Sequence, residues 1–175
     1  MMADCRPLAS HHLPLAFRLM HTIRLRGPGQ LEPLERYVKN ERGEYQSDTL
    51  GLPASDRWIM PADWSETMGP GFLGVVRYRR TFHRPSNLAT GARVWLVVEP
   101  PLSYGLVRLA GRPVGEVEFG SPPGRFDITA MVADRNTLEI DVAHPALDDN
   151  WQPKDDGSAS IPGGLTGEVR LEIED

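Results

Sequence analysis

"GVVRYRRTFHRP", residues 74–85, places Arg77, Arg79 and Arg80 inside a run that otherwise has the composition of a strand. Alternate side chains of a strand face opposite ways, so the first step is to sort them. Val76, Tyr78, Arg80 and Phe82 fall on one face, and Val75, Arg77, Arg79 and Thr81 on the other. The arginines are therefore divided between two faces and form no single basic stripe. Composition points the same way. The 175-residue chain carries a net charge of −5, and binding to DNA or RNA is dominated by neutralising phosphates. No nucleic-acid partner is expected.

Working outward, the same period recurs. "RVWLVVE" (93–99) has Val94, Leu96 and Val98 on one side and Trp95 and Val97 on the other, the pattern of a strand covered on both faces. In "NTLEIDVAH" (136–144), Leu138, Ile140 and Val142 point in while Glu139 and Asp141 point out. "GEVRLEIED" (167–175) repeats this with Val169, Leu171 and Ile173. These nine apolar side chains are the expected core. Seventeen glycines and sixteen prolines punctuate the runs, and no long amphipathic helix is present. About eight or nine short strands with close turns predict an all-β antiparallel sandwich or jelly roll.

The alternation begins near Met20, where Ile23 and Leu25 interleave with Thr22, Arg24 and Arg26 as in a half-buried strand. Residues 20–175 are thus expected to form a single domain, with 1–19 a disordered extension. His11 and His12 in that extension are adjacent in a flexible tail and lack the organised geometry of a metal site. Cys5, the only cysteine, permits no internal disulfide. Residues 38–56, polar and rich in Gly, Ser and Asp, read as a long surface loop. No apolar stretch approaches the ~20 residues of a membrane span. "LPLAFRLM" is short, interrupted by Arg18, and followed by no small-residue cleavage site, so the expected location is cytoplasmic with no membrane partner.

Taken in order, six segments resemble the N-terminal sugar-binding domain of family 2 glycoside hydrolases, a galactose-binding-domain-like jelly roll. They are "MPADW" (60–64), "GVVRYRRTF" (74–82), "VWLVVEPPLSYGLVRLAGRPVGEV" (94–117), "GRFDITAMV" (124–132), "NTLEIDVAH" (136–144) and "PGGLTGEVRLEI" (162–173). The resemblance implies that Arg77, Arg79 and Arg80 lay their stems on the sheet and pair with nearby carboxylates. It also implies a tight hairpin at Ala110–Gly111, where the family usually has Asn-Gly, and a turn capped by Asp127. In the resembling enzymes the two catalytic carboxylates lie on a separate barrel domain. No catalytic motif is recognisable here, and His144 reads as a loop or strand-end residue rather than a base. The expectation is a stand-alone, non-catalytic module.

One loop invites a binding hypothesis. Residues 144–164, "HPALDDNWQPKDDGSASIPGG", set Trp151 among Asp148, Asp149, Asn150, Asp155 and Asp156. An aromatic beside acids and amides suits a sugar: the indole stacks on its apolar face and carboxylates accept from its hydroxyls. Trp151, Asp148, Asp149 and Tyr104 are the candidate sugar contacts, with carbohydrate or a glycan-processing protein as the implied partner. The alternative is a solvated loop pinned by a buried indole, in a purely structural or protein-interaction module. No cofactor is expected. Calcium would need about six to eight oxygen ligands, and the acids show no regular alternation of ligands. Trp58 and Trp64, flanking "MPAD", are assigned to core packing. Oligomeric state is not legible.

Overall fold

The computed structural model describes residues 20–150, 152 and 158–175. The expected extension 1–19, with Cys5, His11 and His12, lies outside them. The described residues form thirteen strands: β1 (Met20–Arg24), β2 (Pro28–Lys39), β3 (Tyr45–Asp48), β4 (Asp56–Ile59), β5 (Ala62–Asp63), β6 (Gly74–His83), β7 (Arg93–Val98), β8 (Tyr104–Leu109), β9 (Arg112–Glu118), β10 (Gly124–Asp127), β11 (Arg135–His144), β12 (Gly164–Leu165) and β13 (Val169–Glu174). One four-residue helix, α1 (Ser65–Met68), precedes β6. Among the described residues no helix is long and apolar enough to cross a membrane.

Two antiparallel sheets face each other. The smaller runs β1-β13-β7-β10 and the larger β3-β2-β6-β11-β8-β9, with β4 beside the first half of β2. Their inner faces meet in one apolar cluster that contains Val94, Leu96, Val98, Val169 and Leu171 from the small sheet and Val76, Tyr78, Leu138, Ile140 and Val142 from the large one. All nine side chains read from the alternation are buried. Trp58 and Trp64 are buried as well, Trp58 packing edge-on against Tyr78 with ring centroids 4.4 Å apart.

Three local readings are corrected. Residues 38–56 are not one loop, because β2 runs on to Lys39 and pairs with β3 in a polar hairpin. The first strand is half-buried only at its end: Leu25, just past β1, is buried as read, but Ile23 and the rest of β1 are exposed, since β1 is an edge strand whose single neighbour is β13. Asp141 is not solvated as its outward phase suggested. It sits on the outward face of β11, but Arg77 of β6 and Arg108 of β8 close over it and leave it 8% exposed.

The β8–β9 hairpin turns on Ala110 and Gly111, both at positive φ (50° and 76°). That pair of signs is the type I′ signature, which matches the right-handed twist of the strands. Alanine carries a Cβ penalty there that asparagine largely avoids. Ala110→Asn is expected to raise stability by about 0.5–1 kcal/mol, read as a higher urea midpoint with unchanged slope.

Candidate functional site

β6 and β11 run antiparallel with Gly74 beside His144 and His83 beside Arg135. The candidate loop therefore leaves the large sheet at the end where β11 finishes. What fixes it is His144, nearly fully buried, whose imidazole Nε2 lies 2.9 Å from the carbonyl oxygen of Ile161. Trp64 completes the anchor. Its ring lies 5.9 Å from that of His144 and 5.9 Å from that of Phe72, each nearly perpendicular. Its backbone N–H donates to Gly163 (3.0 Å) and its indole N–H to the Phe72 carbonyl (3.3 Å). A side chain at Gly163 would run into the Trp64 ring, so only glycine lets the chain pass this close. Gly164 and Leu165 then pair with β5, and the Leu165 N–H donates to the Tyr78 hydroxyl at 3.2 Å. Both ends of the loop are tied to the core.

The four candidate contacts are placed unequally. Trp151 lies outside the described residues, as do Asp155 and Asp156. Asp148 is exposed, and its Oδ1 accepts the N–H groups of Asn150 (2.8 Å) and Gln152 (3.0 Å). These bonds from the Gln152 and Asn150 backbone hold its carboxyl below the usual range. Asp148 thus shapes the loop, whereas Asp149 is exposed beside it. Tyr104 stands at the start of β8 opposite Ala143, on the outer face of the large sheet near the loop's origin. Burial, then a hydrogen bond donated to Glu116, pushes its hydroxyl up to about 12.

The outer face of the large sheet is a lattice of ion pairs. Arg77 meets Asp141 through two bonds, Nε to Oδ1 at 2.7 Å and Nη2 to Oδ2 at 2.9 Å, and Arg108 donates to the same carboxylate. Arg79 donates to Glu139 at 2.9 Å and lies 3.6 Å from Glu32. Burial opposes the charge of Asp141, but the bonds from Arg77 and Arg108 outweigh it and depress its pKa. Arg77 and Arg79 thus pair with carboxylates as the resemblance implied. Arg80 does not: it has the phase of the other face, and among the described residues its guanidinium donates only to the Pro28 carbonyl, at 3.2 Å. Asp127 caps its turn as expected, its Oδ1 accepting the Thr129 N–H at 3.0 Å and the Thr129 hydroxyl at 2.6 Å.

The His144–Trp64–Gly163 anchor was not visible as a unit in the sequence. The available signal was a buried-type Trp, a strand-end His and a Gly-Gly pair, with nothing to bring them together. No cluster of three or more His, Cys, Asp or Glu suited to a metal ion occurs among the described residues.

No protein-family model matches the chain, and no curated protein matches it. Solved structures do. The chain is similar to part of an FMN-binding β-glucuronidase from Faecalibacterium prausnitzii L2-6, with 24% identity and a TM-score of 0.63, over 89% of this chain and 23% of that one. A β-glucuronidase from an uncultured Clostridium matches with 17% identity and a TM-score of 0.65, over 99% of this chain and 31% of that one. A rhamnosidase from Novosphingobium sp. PP1Y matches with 24% identity and a TM-score of 0.62, over 95% and 16%. The chain spans less than a third of each of these proteins. At such identities the likeness is one of fold: this is the β-sandwich that those glycosidases also contain.

Proposed function

We propose that the chain is a non-catalytic, carbohydrate-binding-like module whose contact surface is the loop following β11. The observation that carries this reading is the anchoring of that loop. Trp64, His144 and Gly163 fix both its ends to the core while Asp149 stays in solvent, which is how a rigid scaffold presents a binding loop. The fold similarity to glycosidases adds a sugar context. Trp151 supplies the stacking surface, Asp149 accepts from sugar hydroxyls, and Asp148 sets the loop's shape. The partner is carbohydrate itself or a glycan-processing protein. Hydrolysis of a glycoside needs two carboxylates free to act across the scissile bond. Here Asp141 and Glu139 are held by arginines and Asp148 by the N–H groups of Asn150 and Gln152, which favours binding without catalysis.

A second reading, a structural or protein-interaction sandwich without a sugar site, has its own support. Asp148 is tied into the loop through its Oδ1, which turns one of the four candidate groups toward the protein itself. The two readings separate on a glycan array of the purified protein and its Trp151→Ala variant. The sugar-binding reading expects weak signals for neutral glycans, lost in Trp151→Ala with circular dichroism unchanged. Unaltered signals in a folded Trp151→Ala variant would remove the loop from consideration. A blank array for the parent protein would leave the interaction module.

A further inference from the structure

Six arginines are half-buried among the described residues: Arg36, Arg77, Arg79, Arg80, Arg108 and Arg170. Five have a carboxylate within ion-pair distance: Asp48 for Arg36, Asp141 for Arg77 and Arg108, Glu139 for Arg79, and Glu172 for Arg170. Arg80 is the exception. In a chain with more acids than bases, a partly covered guanidinium without a counter-ion is a feature that requires explanation. Its Nε is buried with no hydrogen-bond acceptor, and its only side-chain bond goes to the neutral carbonyl of Pro28. Burial, with no carboxylate to offset it, pulls the guanidinium below its ordinary pKa.

The surroundings give the reason. Arg80 borders a groove of about 440 Å³ formed where β6 runs past the start of β2, lined also by Pro28, Gly29, Gln30, Arg57, Arg79 and Thr81. The cross-strand register carries Arg79 of β6 to Gln30 of β2 and on to Arg57 of β4, in one row. Arg57 is exposed and makes no ion pair among the described residues, and the groove has three guanidinium groups and no acidic residue in its lining. Only Arg79 is neutralised, by Glu139 and Glu32. Guanidinium forks match the planar or tetrahedral oxygens of carboxylate and phosphate, and an anion here would relieve mutual repulsion as well as fill the open donors. We propose that this groove binds a small oxyanion, a carboxylate or phosphate group, between Arg80 and Arg57. The site lies on the β2–β4–β6 surface and does not depend on the sugar reading of the loop.

Titration calorimetry at constant ionic strength, with inorganic phosphate in one arm and acetate in the other, tests it. Binding is expected for the parent chain, weakened about tenfold or more in both Arg57→Gln and Arg80→Gln, because each removes charge-assisted bonds. Arg84→Gln, which removes an exposed arginine outside the groove, is expected to bind as the parent does. Tighter phosphate binding assigns the site to phosphorylated ligands, and tighter acetate binding to carboxylates. Should Arg80→Gln fail to fold, Arg57→Gln still decides, since Arg57 is exposed on the surface. No heat from either anion, or affinity unchanged in Arg57→Gln, overturns the proposal.

Discussion

Replacing Trp64 with alanine is expected to lower the free energy of unfolding by about 3–5 kcal/mol, the range for truncating a buried tryptophan. Trp64 is 1% exposed, and three elements converge on it: Phe72 ahead of β6, His144 at the end of β11 and Gly163 ahead of β12. The cavity would be shared among them, so little collapse is available to offset it. A more specific consequence follows from the same geometry. With the indole gone, the Gly163 passage loses its packing surface and the 158–164 segment its seat. Urea denaturation should show the stability loss. Hydrogen exchange should show amides of this segment, and the Leu165 N–H that donates to Tyr78, losing protection before those of β13. Uniform loss across all strands would mean that Trp64 is ordinary core and not the anchor of the loop.

The second large effect is expected at Asp141. Removing one member of a buried ion pair leaves its partners uncompensated, a change worth about 3–5 kcal/mol. Arg77 and Arg108 each keep roughly a quarter of their side-chain surface in solvent, and Glu139 and Glu32 also act on Arg77. Asp141→Ala is therefore expected near the lower end, about 3 kcal/mol. The pH dependence has a definite sign. The folded pKa lies below the unfolded value of about 3.9, so across this interval the unfolded chain binds more protons. The stabilisation is complete above the unfolded value and is lost as pH falls through the folded one. The gap in stability between parent and Asp141→Ala should be full at neutral pH and should narrow below about pH 4. A gap that stays constant down to pH 2 would show that packing, not charge, accounts for it.

Much of this fold was legible because the sandwich core obeys a period of two. Leu138, Ile140 and Val142, like Val169, Leu171 and Ile173, face inward as their spacing implies. The same rule failed where neighbours, not spacing, set the environment. Asp141 has the sequence position of a solvated residue, and only the register against Arg77 on one side and Leu106 and Arg108 on the other closes it off. β3 escaped notice because both faces of its short hairpin are largely polar, so no apolar alternation marks it. Ile23 has the right phase for burial yet stays 41% exposed, because β1 lies at an edge. Arg80 was grouped with its neighbours, although its inward phase separated it from the carboxylates of the outer face. The candidate loop was legible by composition alone; its anchoring through His144, Trp64 and Gly163 required three distant segments to be brought together.

On the proposed function, the loop after β11 presents an uncharged-sugar site on a fixed scaffold. Calorimetric titration of the full chain with methyl glucoside, methyl galactoside and methyl rhamnoside, each at low and at high sodium chloride, tests it most directly. Weak binding of at least one glycoside is expected, with an affinity nearly independent of salt, because stacking and hydroxyl hydrogen bonds carry it rather than net charge. No heat from any of the three, or binding that collapses as salt rises, would contradict it.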